Sequence, residues 1–204
     1  ILFTIDFLKA QKTGLFLDMR EMRKLVGEFS QGQKLLNCFS YTGGFSLYAA
    51  KNGAMQADSI DIDPDAIEYA KKNFELNKLD VVNNKFIAGD VFQFLRNDPL
   101  DYSFVILDPP AFAKKREDVE AARRGYGEIN RLALSKIPSG SFLLTCSCSF
   151  HVNYEMFEEI VLRAARDSRR DIKILHKQRL AFDHPININH NEVDYLKSLL
   201  LYVS

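Results

Sequence analysis

Apolar residues along this chain fall into short continuous runs set between stretches that repeat at helical spacing. Residues 34–39, 57–62, 85–88, 104–107, 142–145, 172–175 and 196–203 read as seven strands. Helical stripes alternate with them. Asp18 is placed to cap a helix that carries Met22, Leu25, Val26 and Phe29 on one face and closes near Gly32. Residues 44–52 form a second helix. Asp63-Pro64 opens a third, with Asp at the cap, Pro in the first turn, a stripe of Ala66, Ile67, Ala70 and Phe74, and Asn77 at its end. Residues 91–96, 128–136 and 154–166 supply three more, and 113–126 reads as a loop or a poorly packed helix. At the start, residues 1–8 alternate like a strand and 11–14 make a turn.

Strand–helix alternation with unbroken apolar strands predicts an α/β fold, a mostly parallel sheet covered on both faces. Only the loop 183–194 separates the last two strands. A crossover helix does not fit there, so they are expected to pair antiparallel.

Ligands of such sheets bind at the carboxyl ends of the strands. The first strand runs into Phe39-Ser40-Tyr41-Thr42-Gly43-Gly44, a tight turn in which side chains would hold a ligand off the backbone. It matches neither G-x-G-x-x-G nor G-x-x-x-x-G-K-[ST]. A phosphate cradle is the weaker reading, and S-adenosylmethionine, adenosine without phosphate, the better one. Asp61 ends the second strand, where a carboxylate can accept from both ribose hydroxyls; the alternative is an exposed loop acid. Asp63 is already explained as a cap. Asp90 could accept from an adenine amino group or cap the helix it precedes.

Composition narrows the classes. Of 204 residues, 47% are hydrophobic and 26% charged, with 27 basic and 27 acidic side chains. One ordinary core is expected, and zero net charge argues against a free-standing nucleic-acid binder. Three cysteines are too few for a disulfide scaffold and suggest a reducing, cytoplasmic setting. No apolar run is long enough to span a membrane. The chain opens without methionine inside an alternating run, which suggests further protein upstream. The sequence neither requires nor excludes a homodimer.

Two further strand ends carry chemistry. The fourth ends in Asp108-Pro109-Pro110-Ala111-Phe112, where two prolines stiffen the turn and present Asp108 to the crevice. The fifth ends in Thr145-Cys146-Ser147-Cys148-Ser149-Phe150-His151. C-x-C-x-x-H offers three metal ligands without a second cluster, so no metal is expected. Cys38 lies in a core strand and reads as a small buried hydrophobe. A cysteine at the crevice mouth is a candidate nucleophile. Cys146 and Cys148, two apart on an extended segment, could both face it.

Taken in order, Asn37-Cys38-Phe39-Ser40-Tyr41-Thr42-Gly43-Gly44-Phe45, Asp61, Gly89-Asp90-Val91-Phe92, Asp108-Pro109-Pro110-x-Phe112, Arg124-Gly125-Tyr126 and Leu144-Thr145-x-Ser147-Cys148-Ser149 closely resemble the class I methyltransferases that make 5-methylcytosine in 23S ribosomal RNA. Lys12-Thr13-Gly14-x-x-x-Asp18-x-Arg20 and Asp183-His184-Pro185 match as well. The resemblance implies a Rossmann-like fold with S-adenosyl-L-methionine held by Thr13, Phe39, Ser40, Tyr41, Gly43, Asp61, Ile62, Asp90, Val91, Asp108 and Pro109. It implies Cys148 as the thiolate that attacks carbon 6 of cytosine, and Asp108 at the base edge. Family members carry an N-terminal PUA domain and a β-rich linker that grip RNA. Residues 1–17 would then be the tail of that linker and 18–204 the catalytic domain, with large-subunit ribosomal RNA bound mainly through the missing part. Cys146 departs from the family's pattern.

Three rivals remain. An RNA base N-methyltransferase would use Asp108-Pro109-Pro110 without needing Cys148. A small-molecule methyltransferase is disfavoured by the basic segments (Lys114, Lys115, Arg116, Arg123, Arg124; Arg163, Arg166, Arg169, Arg170), which otherwise read as solvated helix faces. The third is an adenosine-binding RNA module without turnover.

Overall fold

The computed structural model describes residues 1–5, 14–187, 189 and 194–204. Among them, the strands are β1 (Lys34–Cys38), β2 (Gln56–Asp61), β3 (Phe86–Ala88), β4 (Phe104–Leu107), β5 (Ser141–Ser147), β6 (Ile172–Gln178) and β7 (Lys197–Val203). The helices are α1 (Arg20–Phe29), α2 (Gly44–Lys51), α3 (Pro64–Leu76), α4 (Val91–Asn97), α5 (Val119–Leu134) and α6 (Tyr154–Asp167). The seven strands form one sheet in the order β3-β2-β1-β4-β5-β7-β6, the α/β architecture that the alternation predicts. The chain divides into two compact units, Ile1–Val91 and Phe92–Ser204.

In the first unit β1, β2 and β3 run parallel, with Cys38 opposite Ile60 and Asp61 opposite Ala88. Leu35, Leu36, Ala57 and Ile60 are buried. Buried polar residues of β2 are satisfied as burial demands. Asp58 accepts from the Lys85 backbone N–H and the Gln56 side chain, each at 2.8 Å, and Ser59 meets Ser46 at 2.7 Å. Helix α3 begins as expected: the Asp63 side chain accepts from the Asp65 N–H, with Pro64 in the first turn. Ala66, Ile67, Ala70 and Phe74 are its buried face.

Two expectations for this unit fail. Asp18 does not cap α1; it is buried within a 3-10 turn, Leu17–Met19, and Met19 precedes the helix without a side-chain cap. Residues 1–5 are not a strand. Side-chain amides of α3 hold them instead. Asn77 exchanges two hydrogen bonds with the Leu2 backbone, at 2.8 and 2.7 Å. Asn73 accepts from the Thr4 N–H at 2.7 Å and donates to the Thr42 carbonyl at 3.0 Å. Residues 6–8, and 11–13 of the expected turn, lie outside the described residues.

In the second unit β4 and β5 run parallel, while β7 lies antiparallel to both β5 and β6. Of the strands in this unit only β7 is therefore reversed, and the expected antiparallel pairing of the last two strands is present. Helix α5 starts well before residue 128, and the expected loop over 113–126 is partly helical. Its stripe Ala122, Tyr126, Ile129 and Ala133 is buried, and Tyr126 meets Phe157 of α6 edge to face with centroids 5.5 Å apart. Gly125 obscured that stripe. A Cβ there would come within 3.0 Å of the Phe112 ring, so the glycine is where the ring packs. Two arginines of the basic segments are also internal fasteners. Arg123 pairs with Glu159 at 3.2 Å, and Arg170 donates to the carbonyls of Leu134, the last residue of α5, and Ile137 beyond it.

Candidate functional site

The expected site residues divide between the two units. Thr13 lies outside the described residues. In the first unit, the chain leaves β1 through a strained turn. Phe39 and Tyr41 have φ of 56° and 47°, and Gly43 has φ of 78°. Only glycine adopts such angles without cost. The two non-glycine residues are held from both sides: Ser40 N–H donates to the Ile60 carbonyl at 3.0 Å, and Tyr41 N–H donates to Asp61 Oδ2 at 2.8 Å. Asp61 Oδ1 accepts from the Asp63 N–H at 3.0 Å. The carboxylate at the end of β2 is thereby fixed, and each oxygen keeps a lone pair for another donor.

Each of the two glycines has a packing neighbour of its own. A Cβ on Gly43 would sit 2.9 Å from the Ala70 Cβ, and one on Gly44 would sit 3.1 Å from the Arg23 side chain. The turn is packed against its own helices, and the missing side chains admit those neighbours. Ile62, next to Asp61, is 71% exposed despite its size. Asp90 is half-buried, and Val91 is buried as the first residue of α4. An exposed isoleucine beside an immobilised carboxylate with open acceptor sites suits a ribose and the flat face of a base, so these residues fit an adenosine-bearing cofactor.

In the second unit, β4 delivers Asp108, half-buried, to the stiff Pro109-Pro110 turn. Beyond it Phe112 packs on Tyr126 at 4.6 Å. The Tyr126 hydroxyl meets Ser149 Oγ at 2.9 Å, and Ser149 Oγ accepts from the Ala113 N–H at 3.0 Å. One serine hydroxyl thus joins α5 to the segments after β4 and β5. Burial pushes the Tyr126 phenol up, opposed by hydrogen bonds from Ser147 and Ser149.

The three thiols differ. Cys38 and Cys146 are fully buried. Burial raises both, and the Asp108 charge raises Cys146 further. Cys148 lies just past β5, part-exposed, its Sγ donating to the Pro109 carbonyl at 3.6 Å. Alternation would let Cys146 and Cys148 share one face, but Cys146 is still in the β5–β7 ladder, opposite Ser198, while Cys148 has left it. Thiolate chemistry needs access, and of the three thiols only that of Cys148 has it.

Two groups here were not anticipated. Tyr154 donates its hydroxyl to the Gln178 carbonyl at 2.7 Å and is pushed up to about 12 by burial. Lys197, 3% exposed, donates to the Ser149 carbonyl at 2.6 Å and the Tyr195 carbonyl at 2.7 Å. A lone lysine inside Leu196-Lys197-Ser198-Leu199-Leu200-Leu201 was the available signal. Among the described residues no group of three or more His, Cys, Asp or Glu side chains is placed to hold a metal, and no helix is long and apolar enough to cross a membrane.

Residues 1–179 match the family described as S-adenosylmethionine-dependent methyltransferase. Ribosomal RNA large subunit methyltransferase I of Aeromonas salmonicida (strain A449) is 41% identical over 200 residues, covering 97% of this chain and 50% of the relative. The protein of the same name from Cronobacter sakazakii (strain ATCC BAA-894) is 38% identical over 202 residues, covering 98% and 51%. The chain spans about half the length of the curated relatives it matches. Among solved structures, SMU.776, a methyltransferase complexed with SAH, superposes with a TM-score of 0.81 at 28% identity, covering 93% of this chain and 50% of that one. Trm5b from Pyrococcus abyssi shares the fold, with a TM-score of 0.72 at 22% identity over 98% of this chain and 52% of that one.

Proposed function

Because this chain belongs to the S-adenosylmethionine-dependent methyltransferase family, we propose that it is the catalytic part of an enzyme that methylates carbon 5 of cytosine in large-subunit ribosomal RNA. The relatives named for that RNA support the substrate class, and the thiol supports the base. Residues 1–17 would lead from an upstream RNA-binding part that provides most of the grip on RNA.

The carrying observation is the contrast among thiols: one part-exposed cysteine beside Pro109, two sealed in the core. Carbon 5 of cytosine is too weak a nucleophile to take a methyl group unaided. The Cys148 thiolate adds to carbon 6, the S–C6 bond forms, and the double-bond electrons move to carbon 5. Phe39, Ser40, Tyr41, Gly43, Asp61 and Ile62 would hold S-adenosylmethionine, which would supply an electrophilic methyl for carbon 5 and leave as the thioether S-adenosylhomocysteine. Asp108, as the carboxylic acid, would donate to N3 of the base, where negative charge accumulates in the adduct. After a base removes the carbon 5 proton, the S–C6 bond breaks, the double bond returns and the Cys148 thiolate leaves. The target nucleotide has to be turned out of its stack to reach the thiol.

RNA carrying 5-fluorocytosine tests this, because fluorine blocks the last elimination. The enzyme with its upstream part should form a covalent adduct that survives denaturation. Cys148→Ala should abolish adduct and turnover, while Cys146→Ala should keep turnover within about tenfold, a 1.4 kcal/mol change in barrier. An adduct retained in Cys148→Ala and lost in Cys146→Ala would move the nucleophile by two residues. Methylation unaffected by either change would leave an N-methyltransferase using Asp108.

A further inference from the structure

Lys197 carries an inference that rests on Cys148 being the nucleophile. In the antiparallel pairing of β5 and β7, Lys197 stands opposite Ser147, the residue before Cys148. Its Nζ reaches past the end of β5 to the Ser149 carbonyl, the residue after it, at 2.6 Å. Ser149 is also gripped through its hydroxyl by the Ala113 N–H and Tyr126. Cys148 is therefore suspended between a residue locked in the ladder and a residue held by Ala113, Tyr126, Lys197 and the Val152 N–H, which shares the Ser149 carbonyl at 3.1 Å. The geometry points to Lys197 as a positioning residue for Cys148, fixing the backbone on either side of the thiol and lending a buried positive charge to the thiolate.

Burying an ammonium in an apolar strand is costly, and a leucine or methionine would pack at that place without the cost. Nζ donates to two uncharged carbonyl oxygens, those of Ser149 and Tyr195, and its charge is not cancelled by a carboxylate bonded to it. Asp194, the acid whose field acts on it, is itself paired with Arg179 at 2.7 Å. Burial lowers Lys197 to about 8, offset in part by the charges of Asp194 and Cys148 and deepened by Arg179. A group titrating there is still about nine-tenths protonated at neutral pH. The attraction between Cys148 and Lys197 is mutual: whatever the thiolate does to keep the ammonium charged, the ammonium does to keep the thiolate. Around the thiols stand also Asp108, whose charge opposes ionisation of Cys146, and the buried Tyr126 and Cys146, both neutral at pH 7. Lys197 adds a positive charge to this set, and Arg179 lies close enough to act on it.

The test follows alkylation of each cysteine by iodoacetamide, resolved by peptide mass spectrometry, from pH 5.5 to 10. Lys197→Met should raise the midpoint for Cys148 by about one pH unit and slow its alkylation at pH 7 about tenfold. Lys197→Arg should recover most of that shift. The reciprocal measurement leaves the lysine untouched. In Cys148→Ser, the side-chain NMR signals of Lys197 should titrate at lower pH than in the parent protein, which decides the matter even if Lys197→Met does not fold. An unchanged Cys148 midpoint in folded Lys197→Met, or an unchanged Lys197 midpoint in Cys148→Ser, overturns the assignment. Neither readout needs RNA or cofactor. An adduct on 5-fluorocytosine RNA without these shifts removes Lys197 and leaves the chemistry standing; the shifts without an adduct remove the chemistry and leave the ion pair.

Discussion

Replacing Gly43 by alanine separates two explanations of the turn after β1. If the glycine lets a ligand approach, Gly43→Ala should cost affinity and spare the fold. The structure says the reverse. The new Cβ would lie 2.9 Å from the Ala70 Cβ and 3.3 Å from its Cα, at a residue with φ of +78°. The left-handed conformation costs an alanine roughly 1–2 kcal/mol, and overpacking against α3 adds about 1–3 kcal/mol. Gly43→Ala should therefore lose about 2–5 kcal/mol of stability in urea melts, with an unchanged slope. Ala70→Gly removes the opposing methyl and should cost about 1–2 kcal/mol alone, from helix propensity and lost burial. The double variant should recover the clash but not the φ strain, a coupling of about 1–3 kcal/mol. If Gly43→Ala melts like the parent while losing S-adenosylhomocysteine binding by calorimetry, or the two changes add without coupling, the packing argument fails.

Two other expectations follow from the same description. Asp61→Ala removes the acceptor that holds Tyr41 and Asp63 as well as the proposed ribose contact, so calorimetry should show S-adenosylhomocysteine binding weaker by roughly 1.5–3 kcal/mol, and Asp61→Asn less affected; equal affinity in the alanine variant would remove Asp61 from the site. The lowered Lys197 means the unfolded chain binds more protons than the folded one between about 8 and 10.5, so this group makes stability rise with pH there. The raised Cys38 and Cys146 act oppositely once unfolded thiols ionise near 9.0. Urea melts between pH 8 and 9 should show a rise in the parent that Lys197→Met lacks, and parallel profiles would contradict it.

What the sequence made legible was local. Asp63-Pro64 announces α3 because a cap and its proline act within one turn, and Phe104–Leu107 announces β4 because a strand buried on both faces has no polar position. What stayed hidden depends on neighbours far along the chain. The alternation of residues 1–5 looks like a strand, but Asn73 and Asn77 take up its backbone groups. Gly125 looks like a helix breaker until Phe112 is laid against it. The spacing of Cys146 and Cys148 implies a shared face, and only the point where β5 ends separates them. The packing of the glycine pair was hidden too, since Ala70 and Arg23 are invisible from residues 39–45.

The place of β7 sets an order on synthesis. It lies between β5 and β6, yet it is made after both. While the ribosome is still adding residues up to 203, β5 has an open edge on that side and β6 has no neighbour in the sheet. The nascent second unit stays incomplete until its last strand is released from the exit tunnel and threads into the gap. Lys197 travels on that strand. A newly made chain thus carries Cys148 before Lys197 is in place, and the pairing proposed for them waits until translation of this segment is over.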